Sequence, residues 1–307
     1  PSVKASGKRK SNIVLVFLDG ASALRTGIYG YRKDTTPNLD AIGRDGIVFE
    51  TAVSQAVYTI ASIGSVLTGQ YPERHQSISF ADKLREDALV FPQVLSEEGF
   101  RTAGFSGNAV VSKTFGLDRG FQDFFQVWEQ NDYTGHGDSV LAYFRNWLKT
   151  VSKERFFAYV HFREPHFPYN PPEPFNEKFG STDLFPRGLA EWAQVEELNN
   201  QAAMGARPSE EMLEQIEALY DGNLAYVDNL VQQLVAAISN EGLLEDTIFI
   251  LTADHGEALF EHDYIGHNTQ LYEESIRVPL IIKIPGEKPR RLSNVVELID
   301  LAPTILE

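Results

Sequence analysis

Asp254-His255-Gly256-Glu257 follows the apolar run Thr247–Thr252, and Asp19-Gly20 follows a second apolar run, Asn12–Leu18. Parallel pairing of these runs would place both carboxylates at one edge of a sheet. Two Asp and a His form a hard-to-borderline ligand set suited to Zn²⁺, Mn²⁺, Mg²⁺ or Ca²⁺. Alone, Asp19 reads as a turn cap and His255 as a satisfied buried histidine; together they read as a cation site. Thr59 opens a stretch with Ile60, Ile63, Val66 and Leu67 at helical spacing, closed by Gly69. Threonine is a preferred N-cap, so its position alone says only that it caps. A hydroxyl at a helix N-terminus also sits beside N–H groups that favour an anion, and a metal on its oxygen would help it ionise into a nucleophile.

Three histidines extend this set. His161 and His166 fall in a segment after the strand-like run 156–161, stiffened by Pro165, Pro168, Pro171 and Pro172. Imidazoles there can donate to phosphoryl-type oxygens or protonate a leaving group. His267 is a similar candidate, and Asp263 four residues earlier could join it around a second metal, which the sequence leaves open. His75, His136 and His262 read as structural.

The elements that must hold these residues alternate in type. Residues 12–18, 48–53, 156–161, 247–252 and 278–284 read as strands. Thr36-Pro37 starts a short helix before Gly46, and 209–240 has the apolar spacing of a long crossover helix, with a break expected near Asp221-Gly222. Strands alternating with helices imply an α/β fold with a mainly parallel central sheet, whose carboxyl edge is where ligands bind. The simplest division is a basic linker or artificial start at 1–10 and one α/β catalytic domain at 11–307. The apolar, helix-like stretch 297–307 ends abruptly, as a C-terminally truncated chain would.

Composition narrows the partners. With 27 Lys and Arg against 43 Asp and Glu, the net charge is −16, which argues against nucleic acid. An acidic surface does not draw anions in, so an anion site here needs a local positive charge, and a bound cation supplies one. The absence of cysteine removes disulfides, thiolate metal sites and a Cys nucleophile. No stretch is long enough to span a bilayer; an anchor upstream is compatible with the sequence. The oligomeric state is not legible.

Several motifs, in order along nearly the whole chain, resemble the sulfatase-like domain of the alkaline phosphatase superfamily. They are the Asp19 strand end, Thr36-Pro37-Asn38-Leu39-Asp40, Gly46-Ile47-Val48-Phe49, Val66-Leu67-Thr68-Gly69-Gln70-Tyr71-Pro72, Pro165-His166-Phe167-Pro168-Tyr169, Thr252-Ala253-Asp254-His255-Gly256-Glu257, Tyr272-Glu273-Glu274-Ser275-Ile276-Arg277-Val278-Pro279-Leu280 and Asp300-Leu301-Ala302-Pro303-Thr304. The resemblance implies an alkaline phosphatase-like sheet with helices on both faces, without the family's small C-terminal subdomain. It implies a divalent metal on Asp19, Asp254 and His255, with the Thr59 oxygen at or near it as nucleophile; the borderline ligand His255 leans toward Zn²⁺ or Mn²⁺ ahead of Ca²⁺ or Mg²⁺. His166 and His267 would then act as catalytic groups, and His161 and Asn268 as substrate contacts.

The departures are chemical. Sulfatases carry a Cys or Ser, with Pro and Arg after it, that becomes formylglycine; here the stretch is Thr59-Ile60-Ala61-Ser62-Ile63. Threonine cannot become that aldehyde hydrate, and it resembles the phosphodiesterase, phosphonate hydrolase and phosphoethanolamine transferase branches, which form a covalent phospho-threonine. Gly20 replaces a common second Asp, and Asn268 a Lys. The implied substrate is an anionic ester, small or attached to a lipid or glycan, met outside the cytoplasm as is the family's habit. Two alternatives stand beside this: sulfate ester hydrolysis on the same fold, or an inactive binding domain.

Overall fold

In a computed structural model, which describes residues 11–129 and 136–307, strand β1 (Asn12–Leu18) is buried at every position. An uninterrupted apolar strand needs cover on both sides and both faces, and it receives it. Strands β5 (Phe156–Phe162) and β6 (Thr247–Thr252) flank β1, both parallel to it. The other strands of the described residues are β2 (Ile47–Val53), β3 (Arg101–Ser106), β4 (Asp123–Gln126), β7 (Ala258–Leu259), β8 (Ile265–Gly266), β9 (Arg277–Val278), β10 (Leu280–Lys283) and β11 (Arg290–Glu297). The main sheet runs β11-β2-β10-β6-β1-β5-β3-β4, with β9 on β2, while β7 and β8 pair separately.

The helices form two groups. Helices α1 (Pro37–Arg44), α5 (Gly137–Val151) and α7 (Glu210–Asn240) pack together, as do α2 (Thr59–Thr68), α4 (Phe91–Glu97) and α9 (Leu301–Leu306); β3 touches α5 from one group and α4 from the other. The sheet is therefore covered on both faces. Shorter helices α3 (Pro72–His75), α6 (Trp192–Ala203) and α8 (Glu273–Ile276) complete the set.

Two readings of the sequence are corrected. The stretch 278–284 is not one strand but the pair β9 and β10, and β10 runs antiparallel to both β6 and β2. Helix α7 runs unbroken for 31 residues through Asp221-Gly222. Gly222 is there for close packing: a Cβ would sit 2.6 Å from the Phe175 carbonyl oxygen and 2.7 Å from Pro171 Cγ. The segment 171–175 thus lies directly on the helix backbone.

This fixes the sign of one substitution. Alanine normally favours a helix over glycine by about 1 kcal/mol, but overpacking costs roughly 1–3 kcal/mol. Gly222→Ala should therefore lower stability in thermal or urea unfolding; a stabilised variant would show that the crowding is not real.

Candidate active site at the carboxyl edge of the sheet

The carboxyl ends of β6, β1, β5 and β3 lie side by side, with Phe17 opposite both Thr252 and His161, and Ser106 opposite His161. Asp254, Asp19, His161 and Asn108 leave the sheet together as a result. Asp19 is fully buried. Its Oδ2 accepts from His161 Nε2 at 3.2 Å and from Asn108 Nδ2. For His161 to donate through Nε2, its Nδ1 must accept, so the Tyr159 hydroxyl, 2.7 Å away, is the donor.

The remaining valences point at one spot. Asp254 Oδ1 accepts from the Gly20 N–H at 3.2 Å, whereas Asp254 Oδ2 and Asp19 Oδ1 are buried without a donor. His255 Nδ1 lies 2.8 Å from the Gly256 carbonyl, so it carries the proton and Nε2 keeps a lone pair. That nitrogen is 3.6 Å from Asp19 Oδ1 and 3.5 Å from Asp254 Oδ2. Two orphaned carboxylate oxygens facing an imidazole lone pair are costly without a cation between them. Ligands at about 2.1 Å around a tetrahedral ion stand roughly 3.4 Å apart, so these spacings fit a divalent metal. Asp19, Asp254 and His161 also have ligand atoms within 4.8 Å of one another, but the hydrogen-bond pattern makes His161 a donor to Asp19, whereas His255 Nε2 keeps its lone pair toward the two oxygens. Burial alone would raise the Asp19 pKa, yet the neighbouring His166 and His161 hold its carboxyl well below the usual range.

Thr59 is the first residue of α2, with Tyr58 extended at the N-cap. Its Oγ1 lies 3.4 Å from His255 Nε2. One turn on, Ser62 Oγ donates to the Asp254 carbonyl at 2.6 Å, fastening the helix to the loop that carries the carboxylate. Gly69 closes the helix at φ 64°, its N–H on the Ser65 carbonyl. Thr59, Asn108, His166, His267 and Asn268 line a pocket of about 160 Å³. His166 holds to the Asp19 carbonyl through its N–H at 2.9 Å, and its Nδ1 donates to the Phe167 carbonyl at 2.6 Å. His267 Nδ1 is 2.7 Å from Glu257 Oε1. Burial pushes the His166 imidazole down. Burial also opposes charge on His267, but the Glu257 carboxylate outweighs it and raises that pKa, and Glu257 is itself held below its ordinary value.

The structure thus brings Asp19, Thr59, Asp254, His255, His166, His267 and Asn268 together. His161 sits behind Asp19, fully buried, and not on the pocket surface. Asp263 does not join His267: it is exposed and pairs with Arg207 at 3.0 Å, and Glu257 occupies its expected place. His75 is structural as expected, with Nε2 3.0 Å from Ser65 Oγ and Nδ1 accepting from the Ser77 N–H. The residues missed in the sequence are Asn108, Glu257 and Ser62. Gly20 has φ 70°, a conformation that strains any residue with a side chain, and a Cβ there would just touch the His166 backbone and Glu257 Oε2.

A mixed α/β sheet with carboxylates, histidines and a helix-start hydroxyl at its carboxyl edge defines an alkaline phosphatase-like protein. The chain belongs to the Sulfatase family, whose model matches residues 11–307. It is 24% identical to an arylsulfatase of Clostridium perfringens (strain 13 / Type A), over 97% of this chain and 74% of that protein. It is also 24% identical to the multifunctional alkaline phosphatase superfamily protein PehA of Trinickia caryophylli, over 89% of this chain and 67% of that protein. Among solved structures, the phosphonate monoester hydrolase of Agrobacterium radiobacter superimposes with a TM-score of 0.78 at 21% identity, over 96% of this chain and 73% of that one. A protein in complex with its substrate D-glucosamine-2-N,6-O-disulfate gives 0.74 at 20%, over 97% and 76%; at such identity these superpositions show the fold alone. Other curated relatives are matched over little more than half to three fifths of their length, 53% for an arylsulfatase K of Xenopus laevis and 61% for an ulvan-active sulfatase of Formosa agariphila.

The orphaned oxygens predict how the site responds to metal. Zn²⁺ or Mn²⁺ at about 100 times its dissociation constant should stabilise the protein by roughly 2.7 kcal/mol. Asp254→Asn should raise the melting temperature of the metal-free protein by relieving charge, and weaken metal affinity by at least the ~100-fold upper end seen when outer-shell partners are lost. Unchanged metal affinity in calorimetry would remove Asp254 from the ligand set.

Proposed function

We propose that this chain is the catalytic part of a metal-dependent hydrolase or transferase of phosphate-type esters, with Thr59 as nucleophile. The observation that carries this reading is the placement of Thr59 Oγ1 at a helix start, 3.4 Å from a nitrogen that faces two orphaned carboxylate oxygens. Asp19, Asp254 and His255 would hold the metal, Zn²⁺ or Mn²⁺ by their mixed O and N donors. When bound, it supplies positive charge that polarises the ester and favours the ionised hydroxyl.

Thr59 first gives up its hydroxyl proton to solvent; Oγ1 then attacks phosphorus, the bond to the leaving oxygen breaks, and that oxygen takes a proton from an imidazole. His267 suits this role, because it lines the Thr59 pocket and Glu257 Oε1 holds its Nδ1 at 2.7 Å. First-turn N–H groups of α2 face the phosphoryl oxygens, as helix starts favour. Water or an acceptor alcohol then attacks the phospho-threonine, its proton passes to the imidazole left neutral by the first step, and the bond from phosphorus to Thr59 Oγ1 breaks. A solved phosphonate monoester hydrolase shares the fold, and the relative PehA is named a multifunctional member of the alkaline phosphatase superfamily, so a phosphorus ester is among the substrates the likenesses allow.

The arylsulfatase and ulvan-active sulfatase relatives favour a second reading, sulfate ester hydrolysis. The threonine weighs against it, since formylglycine cannot form there. Thr59→Ala should reduce turnover of an aryl phosphonate monoester or phosphodiester to background while leaving metal content intact, and Thr59→Ser should retain a measurable part. With the same aryl group, kcat/KM for the phosphorus ester should exceed that for the sulfate by at least about tenfold, or ~1.4 kcal/mol. A sulfate preference would reverse the assignment.

A further inference from the structure

Part of the lining of the Thr59 pocket is apolar. Tyr58, Ile60, Phe80 and Val110 form it, and among the described residues no Lys, Arg, Asp or Glu lines the pocket. Phe80 is 77% exposed, and Ile78 two residues earlier is also exposed. An aromatic side chain left in water at the rim of a reactive site is an unfilled contact, since burying such a ring contributes about 1.5–3 kcal/mol. The rim is also held in place. Tyr58, adjacent to Thr59, donates its hydroxyl to the Ile78 carbonyl at 2.5 Å, and Phe80 rests edge-on against Phe115 with centroids 6.4 Å apart.

Resting on the reading of Thr59 as nucleophile toward phosphorus, we propose that Tyr58, Ile60, Phe80 and Val110 form a subsite for an aryl substituent of the ester. An ethanolamine-type substituent would bring an ammonium to a wall with no carboxylate, whereas a benzene-sized ring meets aromatic and branched apolar surface on this side. The pocket of about 160 Å³ has to hold the phosphoryl group beside Thr59 as well, and the exposed Phe80 carries the apolar surface out to solvent, so a ring need not be enclosed to be covered. With the phosphoryl group at Thr59, a ring on it would lie over Ile60 and Val110 and reach out of the pocket against Phe80. The subsite thus selects among the phosphorus esters, favouring aryl phosphonates and aryl diesters over phosphoethanolamine.

Binding of unreactive product-like anions tests this without the differing acidity of leaving groups. The Mn²⁺- or Zn²⁺-loaded protein is titrated by calorimetry with phenylphosphonate, methylphosphonate, 2-aminoethylphosphonate, benzenesulfonate and methanesulfonate. Phenylphosphonate should bind on the order of tenfold more tightly than the methyl and aminoethyl compounds. Phe80→Ala should erase that advantage and Phe80→Trp should keep it; because Phe80 is exposed, neither change threatens folding. Equal affinities, or an advantage that survives Phe80→Ala, overturn the subsite while leaving the phosphorus reading in place. Sulfonates that bind with the phenyl advantage, alongside phosphonates that do not bind, keep the subsite and overturn the phosphorus reading. Binding of none of the five overturns both.

Discussion

Two carboxylates cannot face each other and an imidazole lone pair inside a protein unless something positive lies between them. Asp19 Oδ1 and Asp254 Oδ2 are in that situation, buried and without donors, while their other oxygens are satisfied by His161, Asn108 and the Gly20 N–H. The satisfied half orients each carboxylate and the unsatisfied half aims it. His255 is oriented in the same way, its Nδ1 on a carbonyl and its Nε2 turned inward. A site built like this is unfavourable by itself and becomes favourable with a cation, so its cost to the fold makes sense through the ligand it would hold.

The scaffold turns that local requirement into a reactive arrangement. Parallel strands deliver Asp19, Asp254, His161 and Asn108 at one level, which antiparallel neighbours would not do. Ser62, one turn into α2, ties the helix to the Asp254 carbonyl, so the hydroxyl of Thr59 and the carboxylate share one mounting. Glu257 then does for His267 what Tyr159 does for His161: it fixes which nitrogen carries the proton and which way the ring turns.

Much of this was legible from residue types and order. The uninterrupted apolar strands just before Asp19 and Asp254, and the helix opening at Thr59, follow from patterns that hold over six to ten residues and so survive tertiary context. Asn108 was not legible because β3 carries Thr102, Ala103 and Gly104, a weak strand signal; once β3 is placed beside β5, the strand-end rule that found Asp19 also finds Asn108. Glu257 was hidden because its role depends on a loop folding back to bring His267 beside it, a contact that spacing does not encode. The expected break in α7 failed for the opposite reason. Gly222 was read by local propensity, while a backbone pressed against it decides the residue.

The choice of phosphorus over sulfur rests on one side chain, and the choice of a metal on three. The second claim underlies the first, because a threonine hydroxyl without a cation beside it is only a helix start. The most direct measurement is anomalous diffraction from crystals soaked in Mn²⁺ or Zn²⁺. The account predicts a peak bonded at about 2.0–2.2 Å to Asp19 Oδ1, Asp254 Oδ2 and His255 Nε2, with Thr59 Oγ1 beside it. A cluster that stays empty under saturating metal, or a peak at other residues, would contradict it.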